Sequence, residues 1–90
     1  MKHRTHSDLL PLVRDCLWQV WDPIGVNEYA EAKDEYDSYA PKITTMLLNG
    51  VDARELASHL RHIEAVTMGL PANYSTTDAA VVSLLELIDR

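Results

Sequence analysis

Three breaks cut this chain into short pieces: Asp22-Pro23, Asn49-Gly50, and Gly69 followed by Leu70-Pro71. Proline disfavours helical geometry in the residue before it, and Asn or Gly tolerates the left-handed conformation that ends a helix. Between the breaks, apolar residues recur at three- and four-residue spacing, the period of an amphipathic helix rather than the alternation of a strand. Leu9, Val13, Cys16, Leu17 and Val20 share one face of the first segment, and Leu10 and Trp21 widen it. Tyr36, Tyr39, Ala40, Ile43, Met46 and Leu47 do the same in the second segment. Leu56, Leu60, Ile63 and Val66 or Thr67 carry the face of the third, and Val81, Leu84, Leu85 and Ile88 that of the fourth. The expected fold is all-α: a compact array of four short helices near 7–21, 35–49, 52–68 and 76–89, with an ordered loop over 22–34 that includes one helical turn at 28–33.

Local signals set the ends. Ser7 is expected to cap the first helix, with Asp8 at the positive end of its dipole. Asp52 followed by Glu55 has the spacing of a capping box for the third helix. Thr76 or Thr77 is the expected cap of the fourth. Pro41 removes one intrahelical hydrogen bond, so the second helix either kinks there or begins its regular part near Tyr39. Ninety residues make one domain, 1–90, with residues 1–6 frayed and a radius of gyration of roughly 12 Å.

Composition narrows the function classes. The hydrophobic share of 47% is enough for a packed core and too high for a disordered chain. The net charge of −6 counts against non-specific binding to nucleic acid or to an anionic membrane, since both need clustered Lys and Arg. A helix-turn-helix around Asn49-Gly50 fails for the same reason, because Arg54 and Arg61 are outweighed by Asp52, Glu55 and Glu64. No stretch is long and apolar enough to span a membrane, and MKHRTHSD lacks the apolar core of a signal peptide, so a cytoplasmic location is expected.

Catalytic patterns are missing. The lone Cys16 lies on an apolar face and reads as a small hydrophobe rather than a nucleophile. None of Ser7, Ser38, Ser58, Ser75 and Ser83 sits in a nucleophile-elbow pattern, and there is no Gly-rich phosphate loop. The chain is therefore expected not to be an enzyme and to need no cofactor. Glu55, His59 and His62 stand one turn apart and are the metal-site candidates, but three ligands without a rigid loop fall short of a built tetrahedral site. His3 and His6 repeat the spacing. The alternative reading they support is a metal- or ligand-responsive accessory protein.

The distinctive stretch is EYAEAKDEYDSY, Glu28 to Tyr39. Five acids (Glu28, Glu31, Asp34, Glu35, Asp37) against Lys33 place a net −4 of the chain's −6 there, interleaved with three tyrosines. Acids steer a basic partner inward, and rings supply buried area once it arrives. Helical phase places Tyr36 and Tyr39 in the core, which leaves Tyr29 as the aromatic anchor. Trp18 points away from the apolar face of the first segment and either packs under the 22–34 loop or serves as a second anchor. The partner-binding set is thus Trp18, Glu28, Tyr29, Glu31, Asp34, Glu35 and Asp37.

Several segments carry a family resemblance. Trp21-Asp22-Pro23-Ile24-Gly25-Val26, Asp34-Glu35-Tyr36-Asp37-Ser38-Tyr39, Leu47-Leu48 with Gly50, Leu60 with Ile63-Glu64, and Met68-Gly69-Leu70 resemble the YugE-like family of small bacterial helical proteins. The resemblance implies a compact all-helical fold and assigns no enzymatic activity. Similar small acidic proteins are encoded as immunity partners of contact-dependent and other polymorphic toxins. Many of those toxins are basic nucleases, so an acidic neutraliser is their electrostatic complement. The resulting expectation is a non-catalytic protein-binding module, an immunity protein that occludes a basic toxin domain.

Overall fold

In a computed structural model, which describes residues 5–25, 28–32, 34–71 and 74–88, the chain forms four α-helices and no strand among the described residues. These are α1 (His6–Cys16), α2 (Ala40–Leu48), α3 (Ala53–His62) and α4 (Tyr74–Glu86). Helix α1 packs on α2, and α3 packs on α4. The residues just after α1 lie against α4 and so join the two pairs. The radius of gyration is 12.5 Å, close to the expected value.

The helix ends differ from expectation in instructive ways. Thr5, not Ser7, caps α1. Its hydroxyl accepts from the Asp8 N–H at 3.1 Å, and the Asp8 carboxylate accepts from the Thr5 N–H at 3.2 Å. This closed box draws His6 into the helix, where its ring lies 3.3 Å from the Pro41 carbonyl of α2. Thr5 and His6, expected to be frayed, therefore form the cap and first residue of α1; residues 1–4, His3 among them, lie outside the described residues, as do Val26, Lys33 and Asp89. Asp52 does cap α3, accepting from the Glu55 N–H at 2.8 Å. Pro41 sits in the first turn of α2, where its missing N–H costs nothing, and a 3₁₀ turn over Asp37–Tyr39 leads in. The turn expected in the loop is a 3₁₀ turn at Ala30–Ala32. Helix α4 begins at Tyr74, so neither Thr76 nor Thr77 stands at its N-cap, and Thr77 is buried within the helix.

Two helices do not simply stop. Beyond α1, residues Leu17–Trp21 widen into a π turn, closed by the Asp22 N–H on the Leu17 carbonyl at 2.9 Å. Beyond α3, Ile63–Thr67 do the same, closed by the Met68 N–H on the Ile63 carbonyl at 2.9 Å. A π turn bonds five residues back instead of four, so it takes up one residue more and rotates the downstream side chains relative to an α-helix. That rotation turns Trp21 into the centre of the core, fully buried against Tyr36. The second π turn has the opposite effect on the expected apolar face: Val66 and Thr67 face solvent and Glu64 goes inside. The core itself gathers Val13, Leu17, Trp21, Tyr36, Ile43, Leu47, Leu56, Leu60, Ala80 and Leu84 from all four helices and their extensions.

Candidate functional site

A buried polar hub lies where the two π turns meet. Glu64 is only 2% exposed, and its Oε2 accepts from the Trp21 indole N–H at 2.5 Å and from the Thr77 hydroxyl at 2.7 Å. Burying a carboxylate is tolerable only when donors replace the lost water, and this one draws them from two other elements. A second link runs through Tyr36. Its hydroxyl donates to Asp22 Oδ1 at 2.7 Å and accepts from the Ile24 N–H at 3.1 Å, which pins the loop after the first π turn. Burial, aided by the Asp22 bond, pushes the Tyr36 phenol well above its usual range. Burial likewise pushes the Cys16 thiol up to about 12, with Asp15 adding to it, so this thiol stays protonated and inert at neutral pH. The hub has the character of a fold lock: its groups face one another rather than an open cleft.

The acidic stretch separates into two parts. Glu28, Tyr29, Glu31, Asp34 and Glu35 are all exposed, with Tyr29 at 59%. Asp37 is different. Its two oxygens accept a forked pair of bonds from Arg14, at 3.0 Å from Nε and 2.9 Å from Nη2, which ties the 3₁₀ turn before α2 back onto α1. Such bidentate pairs fix geometry as well as charge, so Asp37 serves the fold before it serves a partner. Tyr36 is buried and Tyr39 half-buried with its ring edge-on to Trp21, as expected, although α2 begins at Ala40 rather than near 35 and both tyrosines precede it.

Trp18 is not an exposed anchor. It is 8% exposed and packs at 6.4 Å, centroid to centroid, against Tyr36. It also lines a depression of about 220 Å³ together with Pro11, Arg14, Asp15 and Asp37. Sequence reasoning missed Arg14 and Asp15. Pro11, Arg14, Asp15 and Trp18 nevertheless stand at i, i+3, i+4 and i+7, a mixed polar stripe that an apolar period does not reveal.

The histidine candidates are brought together, but not as a metal centre. Glu55, His59 and His62 line one open depression with Lys42, Met46 and Ser58, and His59 is half-buried while His62 is exposed. No group of three His, Cys, Asp or Glu side chains among the described residues is arranged to hold a metal ion. Burial, then the charges of Lys42 and His62, hold His59 below its ordinary range.

No family model matches the chain, and no curated protein or solved structure matches it either. No helix among the described residues is long and apolar enough to cross a membrane.

Proposed function

We propose that this chain is a non-catalytic protein-binding module, an immunity protein that binds and neutralises a basic toxin domain. The observation that carries the reading is the exposed run Glu28, Tyr29, Glu31, Asp34 and Glu35, four carboxylates and one tyrosine with 59% of its surface open to solvent. Charge of one sign raises the encounter rate with an oppositely charged partner, and an exposed aromatic ring contributes contact area at small entropic cost. The net charge of −6 adds a long-range field of the same sign. The YugE-like resemblance and the habit of such small acidic proteins to accompany polymorphic toxins point the same way.

If a basic toxic domain is encoded beside the gene, co-expression with it tests the proposal. The chain should restore growth, and the double reversal Glu31→Lys with Asp34→Lys should abolish protection while folded protein still accumulates. Exposed charges contribute little to stability, so the fold should survive the reversal. Association of the wild type should slow with added salt, because steering is screened over roughly 8 Å at physiological ionic strength. The reversed variant should show a weaker salt dependence. Failure of the wild-type chain to restore growth would overturn the immunity reading, and protection by the double variant equal to that of the wild type would reduce the acidic run to a solvated face.

A further inference from the structure

The depression over Trp18 has a composition that neither the core nor the acidic run explains. Trp18 and Pro11 line it, with carboxylates at Asp15 and Asp37 and a guanidinium at Arg14. Arg14 is spent on Asp37 through its two bonds. Asp15 meets only the Gln19 amide, at a long 3.4 Å, and is exposed. The rim therefore carries one net negative charge, and Asp15 is the group available to an incoming cation. An aromatic ring beside an acidic rim suits a side chain that is apolar along its stem and positive at its tip. Asp37 belongs both to this rim and to the acidic stretch, so the depression continues that surface rather than standing apart from it.

We infer that the depression receives one long cationic side chain, an arginine or lysine, of the basic partner, its stem on the Trp18 ring and its charge on Asp15. This rests on the reading of the chain as a binder of a basic domain. It sharpens that reading by separating two roles. The Glu28–Glu35 run steers the encounter, and the Trp18 depression holds a single side chain in register, as central aromatic pockets do at protein interfaces. The steering acids should govern association, and the depression dissociation.

The test needs no toxin. Butylguanidinium, n-pentanol and butyrate are each titrated into the full chain while the two indole N–H resonances are followed by NMR. Trp21 is the internal reference, since its N–H is buried on Glu64 and cannot meet a small solute. Butylguanidinium should shift Trp18 saturably and leave Trp21 in place, and Asp15→Asn should weaken it by about threefold to fivefold, the scale of one exposed charge contact. Asp15 is exposed, so this variant leaves the core untouched. Equal shifts with n-pentanol or butyrate, joint movement of both indoles, or an unchanged response in Asp15→Asn would each overturn the inference. Failure here is distinguishable from failure of the immunity reading. If Glu31→Lys with Asp34→Lys loses protection while butylguanidinium leaves Trp18 unmoved, the steering surface stands and the depression is not its anchor site. If butylguanidinium binds but the wild-type chain does not restore growth, the pocket stands and the immunity reading falls.

Discussion

The two π turns are the same backbone device used to opposite ends. Leu17–Trp21 buries Leu17, Trp18 and Trp21, whereas Ile63–Thr67 buries Ile63 and Glu64 and leaves Val66 68% exposed. The first ends on Asp22 at φ 31°, in the left-handed region, where an Asp is tolerated because its short side chain can bond locally; here it accepts from Tyr36. The second passes through Met68 to Gly69 at φ 67°, where no side chain is needed. One turn brings an indole to the centre and the other brings the carboxylate that satisfies its N–H. Neither arrangement stands alone: without Glu64 the Trp21 donor would be orphaned, and without Trp21 and Thr77 the carboxylate would lose both of these donors. The comparison teaches that a widened turn need not mark an open site. Here the pair forms a lock, and the surfaces that remain for recognition lie outside it.

Breaking the first turn should cost most. Trp21→Ala removes a fully buried ring and one of the two donors to Glu64, and it should destabilise by about 4 kcal/mol or more. A domain of this size is stable by only about 5–15 kcal/mol, so urea denaturation followed by circular dichroism should show a large loss of midpoint. A loss below about 1 kcal/mol would mean the ring is not the centre of the core. Breaking the second turn comes next. Glu64→Ala leaves the Trp21 and Thr77 donors without their acceptor, at about 1–3 kcal/mol each. In a double-mutant cycle with Trp21→Phe the two changes should be less than additive, because they delete the same bond. Additivity would show that the turns are independent.

Titration separates the two halves of the molecule. Cys16 and Tyr36, both beside the first turn, are pushed upward by burial. The unfolded chain loses these protons first, so stability should be full below pH 9.0 and fall above it, by about 1.4 kcal/mol per pH unit for each group as it enters its window. Tyr36 enters above pH 10.0. Cys16→Ala should delay the onset of alkaline loss from about pH 9 to about pH 10, and urea midpoints at about pH 7.5, 9.5 and 10.5 check it. Near the second turn the sign is reversed. His59 is held low by burial and by Lys42 and His62, so the unfolded chain takes the proton first as pH drops below 6.5. Stability should be full above that value and decline below it, and His59→Gln should remove that part of the decline. The smallest effect is expected at Val66→Ser, within about 0.5 kcal/mol, although helical periodicity assigns that residue to the core. A cost of about 2 kcal/mol would restore the ordinary α register there.

What the sequence determined by itself is local. Asp52 as a cap, the stops at Asp22-Pro23, Asn49-Gly50 and Gly69, the 3₁₀ turn near 30 and the apolar faces all arise from contacts within four or five residues along the chain. The exposure of Glu28, Tyr29 and Glu31 was legible too, since a short polar segment between two helices has no apolar face to bury. Which residue closes each helix in five steps rather than four was decided by tertiary structure. The α and π registers differ little in local energy, and the choice falls to whatever partner fills the space beside the turn. Glu64 went inside because Trp21, 43 positions earlier, and Thr77, 13 later, offer it donors. Thr77 became such a donor instead of a cap, and Trp18 came to line a pocket and pack against Tyr36 instead of serving as an exposed anchor. Asp37 became the partner of Arg14 across 23 residues. Each of these is a contact between groups far apart in the chain, and a hydrophobic period, which reports one segment at a time, holds no record of them.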